Sequence, residues 1–407
     1  MDGTRIGGQH LRQSLRRAVY RLRPAPVWQS IDRADILMLT ATYGNGHIQA
    51  TRALVDAMGE LRPEVRTATV DFFDLVNPVF NAATRLAYIY SVRKAPILWR
   101  GFYERTARIE PDSFWQQRLY HLGESSVRRL VTASGAGVVV STHPTPGGVV
   151  AELVHDGKLR RSTFAVTVIT DYILHSQWVH PATSLYLVPC QEVADDLVVR
   201  GIPASRIAVT GIPLRKGFAK LPDRETARSR WGLEEDLPAV VVMIGAYGMM
   251  RGAVEACQRL AFLREPLQLL VVAGYDQQLA RALSAELAGS SHPVRVLGFV
   301  ENVPELMVAS DVLVTKAGGL TVSEALAVGT ATVIYSPIPG QEEGNAAYLR
   351  RHGAAEVAPN PPALERVVAS LLKDPAHRRS LGERARSLGR PQAALDAATR
   401  VLEHVPA

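Results

Sequence analysis

The sequence predicts an α/β protein of two Rossmann-like halves, each built on a parallel sheet. Three observations carry that expectation. The chain has 407 residues, and at roughly 100–200 residues per domain that length sets two domains as the starting point. From residue 36 onward, short apolar runs bounded by turn residues alternate with amphipathic stretches, the pattern of buried parallel strands separated by helices. The alternation restarts at residue 239, after a mixed-charge stretch around 213–223 that carries two prolines and reads as a linker.

The elements follow in chain order. Residues 1–30 form a basic tail, with six arginines and no acid between Gly3 and Ser30. Leu11, Leu15, Ala18, Val19 and Leu22 recur there at helical spacing with Arg12, Arg16, Arg17 and Arg21 interleaved. This is the pattern of a short basic amphipathic helix lying on anionic lipid, and equally that of a flexible basic arm. The first half, residues 31–215, carries predicted strands at 36–39, 138–140, 164–169, 185–188 and 207–210. Its first helix presents Ala50, Ala53, Leu54, Ala57, Met58 and Leu61 on one face, as an amphipathic helix against a sheet does. The second half, residues 216–390, carries predicted strands at 239–244, 269–273, 294–297, 312–315 and 332–335. A last helix near 392–404, within the closing stretch 391–407, is placed to pack back across the linker.

One segment breaks the alternation. Residues 78–120 are rich in aromatic and basic side chains, among them Phe80, Tyr88, Tyr90, Arg93, Lys94, Trp99, Arg100, Tyr103 and Arg105. Such a mixture suits the interfacial zone of a bilayer, and composition alone suits a helical insertion with buried aromatics as well.

Bulk properties narrow the function classes. The net charge of +7 fits either nucleic acid or an anionic membrane surface. Its concentration in the tail favours the membrane, so no nucleic-acid partner is expected. The two cysteines, Cys190 and Cys257, are far apart and suggest neither a disulfide framework nor a zinc site. No apolar run approaches the roughly 18 residues of a membrane span, and the N-terminus has no apolar signal core. A cytoplasmic protein attached peripherally to a membrane is the expectation.

Five loops at predicted strand ends carry the candidate chemistry. The loop Thr42-Tyr43-Gly44-Asn45-Gly46-His47 follows the first strand. Its glycines permit close backbone approach, the following helix offers free N–H groups, and His47 supplies an imidazole suited to take a proton near neutrality; its alternative, the commoner one for such a loop taken alone, is a purely structural turn. The stretch from Val314 to Glu324, with Gly318, Gly319, Thr321 and Ser323, reads as an anion cradle at a helix N-terminus, Glu324 being placed to accept from ribose hydroxyls. Its alternative is a capped helix, Thr321 being the N-cap and Glu324 the capping-box partner. The loop Pro337–Asn345 presents Gln341, Glu342 and Asn345 as sugar contacts, or is a plain polar loop. Gly245-Ala246-Tyr247-Gly248 offers amides to a diphosphate, or makes a plain turn. Thr170–Trp178 offers Asp171 and His175 to a cleft, or a structural Asp that caps a turn.

Taken together, these segments resemble the processive diacylglycerol glucosyltransferases and plant-type monogalactosyldiacylglycerol synthases, and more distantly MurG. The most specific stretch is 298–349, GFVENVPELMVASDVLVTKAGGLTVSEALAVGTATVIYSPIPGQEEGNAAYL, followed by YGNGHIQA, TDYILHSQWVHP and VTGIPL. The resemblance implies a GT-B fold, with acceptor domain first, donor domain second and the parallel sheets facing a central cleft. It implies inverting transfer of a hexose from a UDP-sugar, the co-substrate, to diacylglycerol or a glycosyl-diacylglycerol, with no tightly bound cofactor or metal. Carried over by position, His47 falls on the base, with Asp171 as its candidate assistant. Gly298, Phe299 and Val300 fall at the uracil, Glu324 at the ribose, Gly318, Gly319 and Thr321 near the diphosphate, and Gln341 and Glu342 at the donor sugar. Gly245, Gly248 and Asn345 complete the expected donor side. Tyr43, Asn45, Trp99, Tyr103, His175 and Trp178 are the expected acceptor and membrane contacts, and the resemblance assigns 78–120 to that role. Two features depart from the family: GAYGMM replaces a more glycine-rich loop, and the arginine tail has no counterpart. The alternatives are a MurG-like N-acetylglucosamine transferase for another lipid-linked acceptor, and a non-catalytic sugar-nucleotide-binding membrane protein, against which the joint presence of His47 and Glu324 argues.

Overall fold

The computed structural model describes residues 33–42, 45–76, 81, 96–107 and 114–406. The arginine tail, Tyr43 and much of the aromatic-basic segment lie outside the described residues.

Among the described residues, twelve strands form two sheets of six. The first holds β1 (Ile36–Thr40), β2 (Thr67–Asp71), β3 (Val138–Ser141), β4 (Phe164–Val168), β5 (Leu185–Val188) and β6 (Ile207–Val209), in the order β2-β1-β3-β4-β5-β6. The second holds β7 (Ala239–Met243), β8 (Gln268–Val272), β9 (Val294–Leu297), β10 (Val312–Thr315), β11 (Ala331–Tyr335) and β12 (Ala355–Ala358), in the order β12-β11-β10-β7-β8-β9. Every neighbouring pair is parallel. Continuous Val, Ile and Leu runs in the central strands follow from this arrangement, because helices cover both faces and neither can be polar.

Two strands were not expected from the sequence. β2, TATVD, and β12, AEVA, each occupy one edge of a sheet, and only some of their residues are buried. A half-covered edge does not require the apolar run by which the central strands were read.

The Asn45–Leu61 helix buries Ala50, Ala53, Leu54, Ala57 and Met58 as its periodicity predicts, while Leu61 stays 43% exposed. Its partner comes from the far end of the chain. Ala394, Ala397, Ala398, Val401 and Leu402 of the Ala393–Leu402 helix share one apolar cluster with Ile36, Met38, Leu54 and Met58. The chain thus crosses between the sheets twice, once after Gly211 and again between Leu388 and Ala393. The crossings touch: Gly211 sits at φ +87°, and a Cβ there would lie 2.9 Å from the Cβ atoms of both Arg390 and Ala393. Among the described residues no helix is long and apolar enough to cross a membrane.

Leu54 is fully buried between the first sheet and the last helix. Leu54→Ala should cost about 2–5 kcal/mol of unfolding free energy, whereas Leu61→Ala should change it by no more than about 0.5 kcal/mol. Urea denaturation of both variants checks the contrast, and equal midpoints would contradict this packing.

Candidate active site

Open parallel sheets bind ligands at the carboxyl ends of strands, where the strand order reverses. In the first sheet that point lies between β1 and β3; in the second it lies between β7 and β10. The loops leaving these four strands carry His47, Thr142-His143, Gly245 and Lys316-Gly318-Gly319. Both reversal points open onto one cleft of about 390 Å³ between the sheets.

On the first wall, His47 is the third residue of the Asn45–Leu61 helix. Its Nδ1 lies 2.7 Å from the Thr142 carbonyl and 3.1 Å from Thr170 Oγ1. A carbonyl only accepts, so Nδ1 carries the proton and Nε2 keeps its lone pair. Burial pushes the His47 pKa down to about 4, although the Thr142 bond opposes the shift. The imidazole is therefore neutral, the state a general base needs. Its ring packs 5.0 Å edge-on from His143 and 6.4 Å from Trp178. His143, which the sequence reading did not single out, lines the same cleft and N-caps the Pro144–His155 helix, its Nδ1 accepting from Thr145 N.

Asp171, expected beside the base, makes its side-chain bond elsewhere. Asn345 Nδ2 donates to its Oδ1 at 3.0 Å, and the groups that orient His47 are Thr142 and Thr170. Burial, helped by the nearby charge of Glu342, raises the Asp171 pKa to about 6 against the lowering effect of Asn345. Asn45, Trp99, Tyr103, His175 and Trp178 all line the cleft. His175 Nδ1 accepts from Gln177 N, and its ring lies 4.7 Å from that of Tyr103.

On the second wall two ion pairs face the cleft, Lys316–Glu342 buried and Arg215–Glu324 with a buried carboxylate and a partly exposed guanidinium. Glu324 Oε1 is 3.0 Å from Arg215 Nη2, and Lys316 Nζ is 2.9 Å from Glu342 Oε1. Burial raises the Glu324 pKa while the charge of Arg215 holds it down. Glu342 also accepts from Ile338 N through its second oxygen. Arg215 and Lys316 were not singled out by sequence. Arg215 was hidden in the linker, but the need of a buried Glu324 for a cation was a usable signal. Two polar atoms on this wall, Gln341 Oε1 and Arg215 Nε, are buried without a hydrogen-bond partner, an arrangement uncommon in folded proteins.

The remaining predicted donor residues divide. Gly245, Phe299, Val300, Gly318, Gly319, Thr321, Gln341 and Glu342 line the cleft, whereas Gly248 and Gly298 do not. Phe299 stacks on Tyr275 with ring centroids 4.3 Å apart. Asn345 is fully buried behind the wall. The capping-box alternative for Thr321 fails: the helix starts at Gly319 with Gly318 as N-cap, Thr321 is its third residue, and Glu324 pairs with Arg215 instead. Among the described residues no cluster of His, Cys, Asp or Glu could hold a metal ion.

The walls meet through glycines. A Cβ on Gly319 would lie 1.9 Å from the Thr170 carbonyl oxygen, one on Gly340 2.5 Å from the Tyr103 ring, and one on Gly344 2.4 Å from Ile173 Cδ1.

Comparison with known proteins bears on the family and the fold. Residues 47–214 match the family described as "Monogalactosyldiacylglycerol (MGDG) synthase", and residues 223–388 match "Glycosyl transferases group 1". A Bacillus licheniformis "Processive diacylglycerol beta-glucosyltransferase" is 30% identical over 344 residues, covering 84% of this chain and 87% of that one. The structure of Acinetobacter baumannii MurG superposes with a TM-score of 0.59 at 14% identity, over 91% of this chain and 99% of that one. The S. aureus MnaA-UDP structure gives 0.61 at 14% identity, over 91% and 96%. The fold is GT-B.

Gly319→Ala should prop the cleft open, because its methyl group would collide with the Thr170 carbonyl. Small-angle scattering should give a larger radius of gyration than for the parent protein. An unchanged radius would count against this contact as the point of closure.

Proposed function

The chain belongs to the family of processive diacylglycerol β-glucosyltransferases, and from that membership we propose that it moves a hexose from a UDP-sugar to diacylglycerol or a glycosyl-diacylglycerol at a membrane surface. The observation that carries the proposal is the pairing of walls. A neutral imidazole with an available Nε2 lies on one wall, and an unpartnered Gln341 oxygen with two ion-paired cations lies on the other.

In the proposed reaction the acceptor oxygen bonds to the anomeric carbon as the bond from that carbon to the UDP oxygen breaks. The acceptor proton passes to His47 Nε2, and UDP leaves with the electron pair. Attack from the face opposite the leaving group inverts the anomeric centre. Arg215 and Lys316 meet the growing charge on the diphosphate, aided by the amides that open the Gly319–Val328 helix. Glu324 takes the ribose, while Gln341 and Glu342 take sugar hydroxyls. Asp171 presents its charge to the reacting end, where positive character develops at the sugar ring. No metal enters this scheme. The basic tail and the aromatic-basic segment hold the enzyme on anionic lipid at the cytoplasmic face, with Trp99, Tyr103, His175 and Trp178 along the acceptor's path. An N-acetylglucosamine transferase of the MurG kind is not favoured over this reading.

The direct test is to offer a panel of UDP-sugars with diacylglycerol-containing vesicles and to read lipid products by mass spectrometry. No glycolipid from any UDP-hexose would sink the proposal.

Three narrower outcomes follow. His47→Ala should keep thermal stability and UDP affinity but lose roughly 10²–10⁴-fold in transfer. Glu324→Ala should weaken UDP binding by about 1–3 kcal/mol in a calorimetric titration, and unchanged affinity removes Glu324 from the site. The pH profile has a definite sign. His47, with a pKa near 4, stays in its base form throughout the neutral range, whereas Asp171 loses its charge as pH falls through about 6. Turnover should therefore decline on the acid side with a midpoint near that of Asp171, and a midpoint near 4 would assign the limb to His47.

A further inference from the structure

Residues 170–173 belong to the first half but are gripped, one after another, by the second. The Thr170 carbonyl abuts Gly319 and Ile173 abuts Gly344. The Tyr172 ring stacks 4.7 Å from Tyr348, and its hydroxyl lies 2.8 Å from Ser323 Oγ. Asn345 binds the middle of the segment. Its Oδ1 accepts from Tyr172 N at 2.7 Å, and its Nδ2 donates to Asp171 Oδ1 at 3.0 Å and to the Ala317 carbonyl at 2.9 Å. Both amide protons are engaged, and the residue is 0% exposed, so its side chain has no route to a substrate.

We propose that Asn345 is a positioning residue that holds the Asp171 carboxylate from across the cleft, so that this carboxylate is in place only when the two halves are closed.

Asp171 and Tyr172 lie on one side of the hinge, while Asn345 and Ala317 lie on the other. Opening the cleft must break the Asn345 bonds to Asp171 and Tyr172 together. Ala317 immediately precedes Gly318 and Gly319, so the same amide ties Asp171 to the loop that faces the diphosphate. Thr170, next to Asp171, bonds His47 through its hydroxyl. Closure therefore brings base, carboxylate and donor loop into register through one short segment. The charged or titratable groups around Asp171 are Glu342, with Lys316 on its far side, Tyr103 from the Pro96–Ala107 helix, and His47 by way of Thr170. Asn345 is the donor that favours the ionised carboxylate against Glu342 and burial. The inference rests on the reading that the Asp171 charge serves transfer.

The test uses the full chain with diacylglycerol vesicles and whichever UDP-hexose is productive. Asn345→Ala should lower kcat by roughly 10–100-fold, leave the Kd for UDP within about threefold, and move the acid limb of the kcat profile upward by about one pH unit. Its sign follows from losing a donor to the charged form. Asn345→Asp, which keeps the volume and the acceptor for Tyr172 N, should move the limb the same way and stands in if the alanine variant does not fold. Tyr172→Phe, which loosens the grip through Ser323 without touching Asp171, should leave the limb where it is. On an Asp171→Asn background, Asn345→Ala should cost little more. An unmoved acid limb, or costs that multiply in full in the double variant, would overturn the positioning role while leaving the Asp171 reading intact. Normal turnover by Asp171→Asn alone would remove that reading and this inference with it.

Discussion

The contact between the Thr170 carbonyl and Gly319 sets the distance between the two walls. A peptide oxygen can approach a backbone this closely only where no Cβ intervenes. The same residue holds the His47 ring through its hydroxyl, so the spacing of the halves and the orientation of the imidazole share one anchor. Gly340 and Gly344 repeat the device on either side, against Tyr103 and Ile173. Gly340 and Gly344 serve this approach, while Gly319 also opens a helix at the cleft wall. The three glycines let the two sheets bring their reversal points close to one cleft.

Electrostatics fits within that geometry. Cations facing a closed cleft are expensive to desolvate unless an anion accompanies them. Here Glu324 accompanies Arg215 and Glu342 accompanies Lys316, each from the same wall. The pairs come from different parts of the chain. One joins the inter-sheet connection to a helix, and the other joins the residue after β10 to the first turn of the Gln341–Arg351 helix. On the proposed reading, a diphosphate arriving between them meets positive charge that is already oriented, which leaves little reorganisation for the reaction itself.

Much of this was legible in the sequence, for physical reasons. The central strands announce themselves because both faces are covered, and the glycine loops announce themselves because they follow such strands. β2 and β12 were missed because an edge strand with half its residues wetted carries no apolar run. Arg215 was missed because a lone arginine among linker residues has no periodicity, and only the burial of Glu324 gives it a purpose. Asn345 shows the opposite limit. Its place in a polar loop made it a natural sugar ligand, yet the helix starting at Gln341 turns its side chain inward to Asp171 and Ala317. Local sequence states which polar groups are present, and only the packing of the other half states which way they point.

The return of the last helix to the first sheet has a mechanical and a genetic consequence. Two backbone crossings that touch at Gly211, Arg390 and Ala393 define a line, and two bodies joined along a line can fold about it like the covers of a book but cannot swivel freely. The same route means that neither half is one uninterrupted stretch of sequence. Recombination at a single breakpoint in the linker would carry away the Ala393–Leu402 helix and strip the apolar cover from Leu54 and Met58. An exchange of first halves between relatives would have to take two separate pieces of the gene together, which ties residues 36–211 and the Ala393–Leu402 helix into one unit of inheritance.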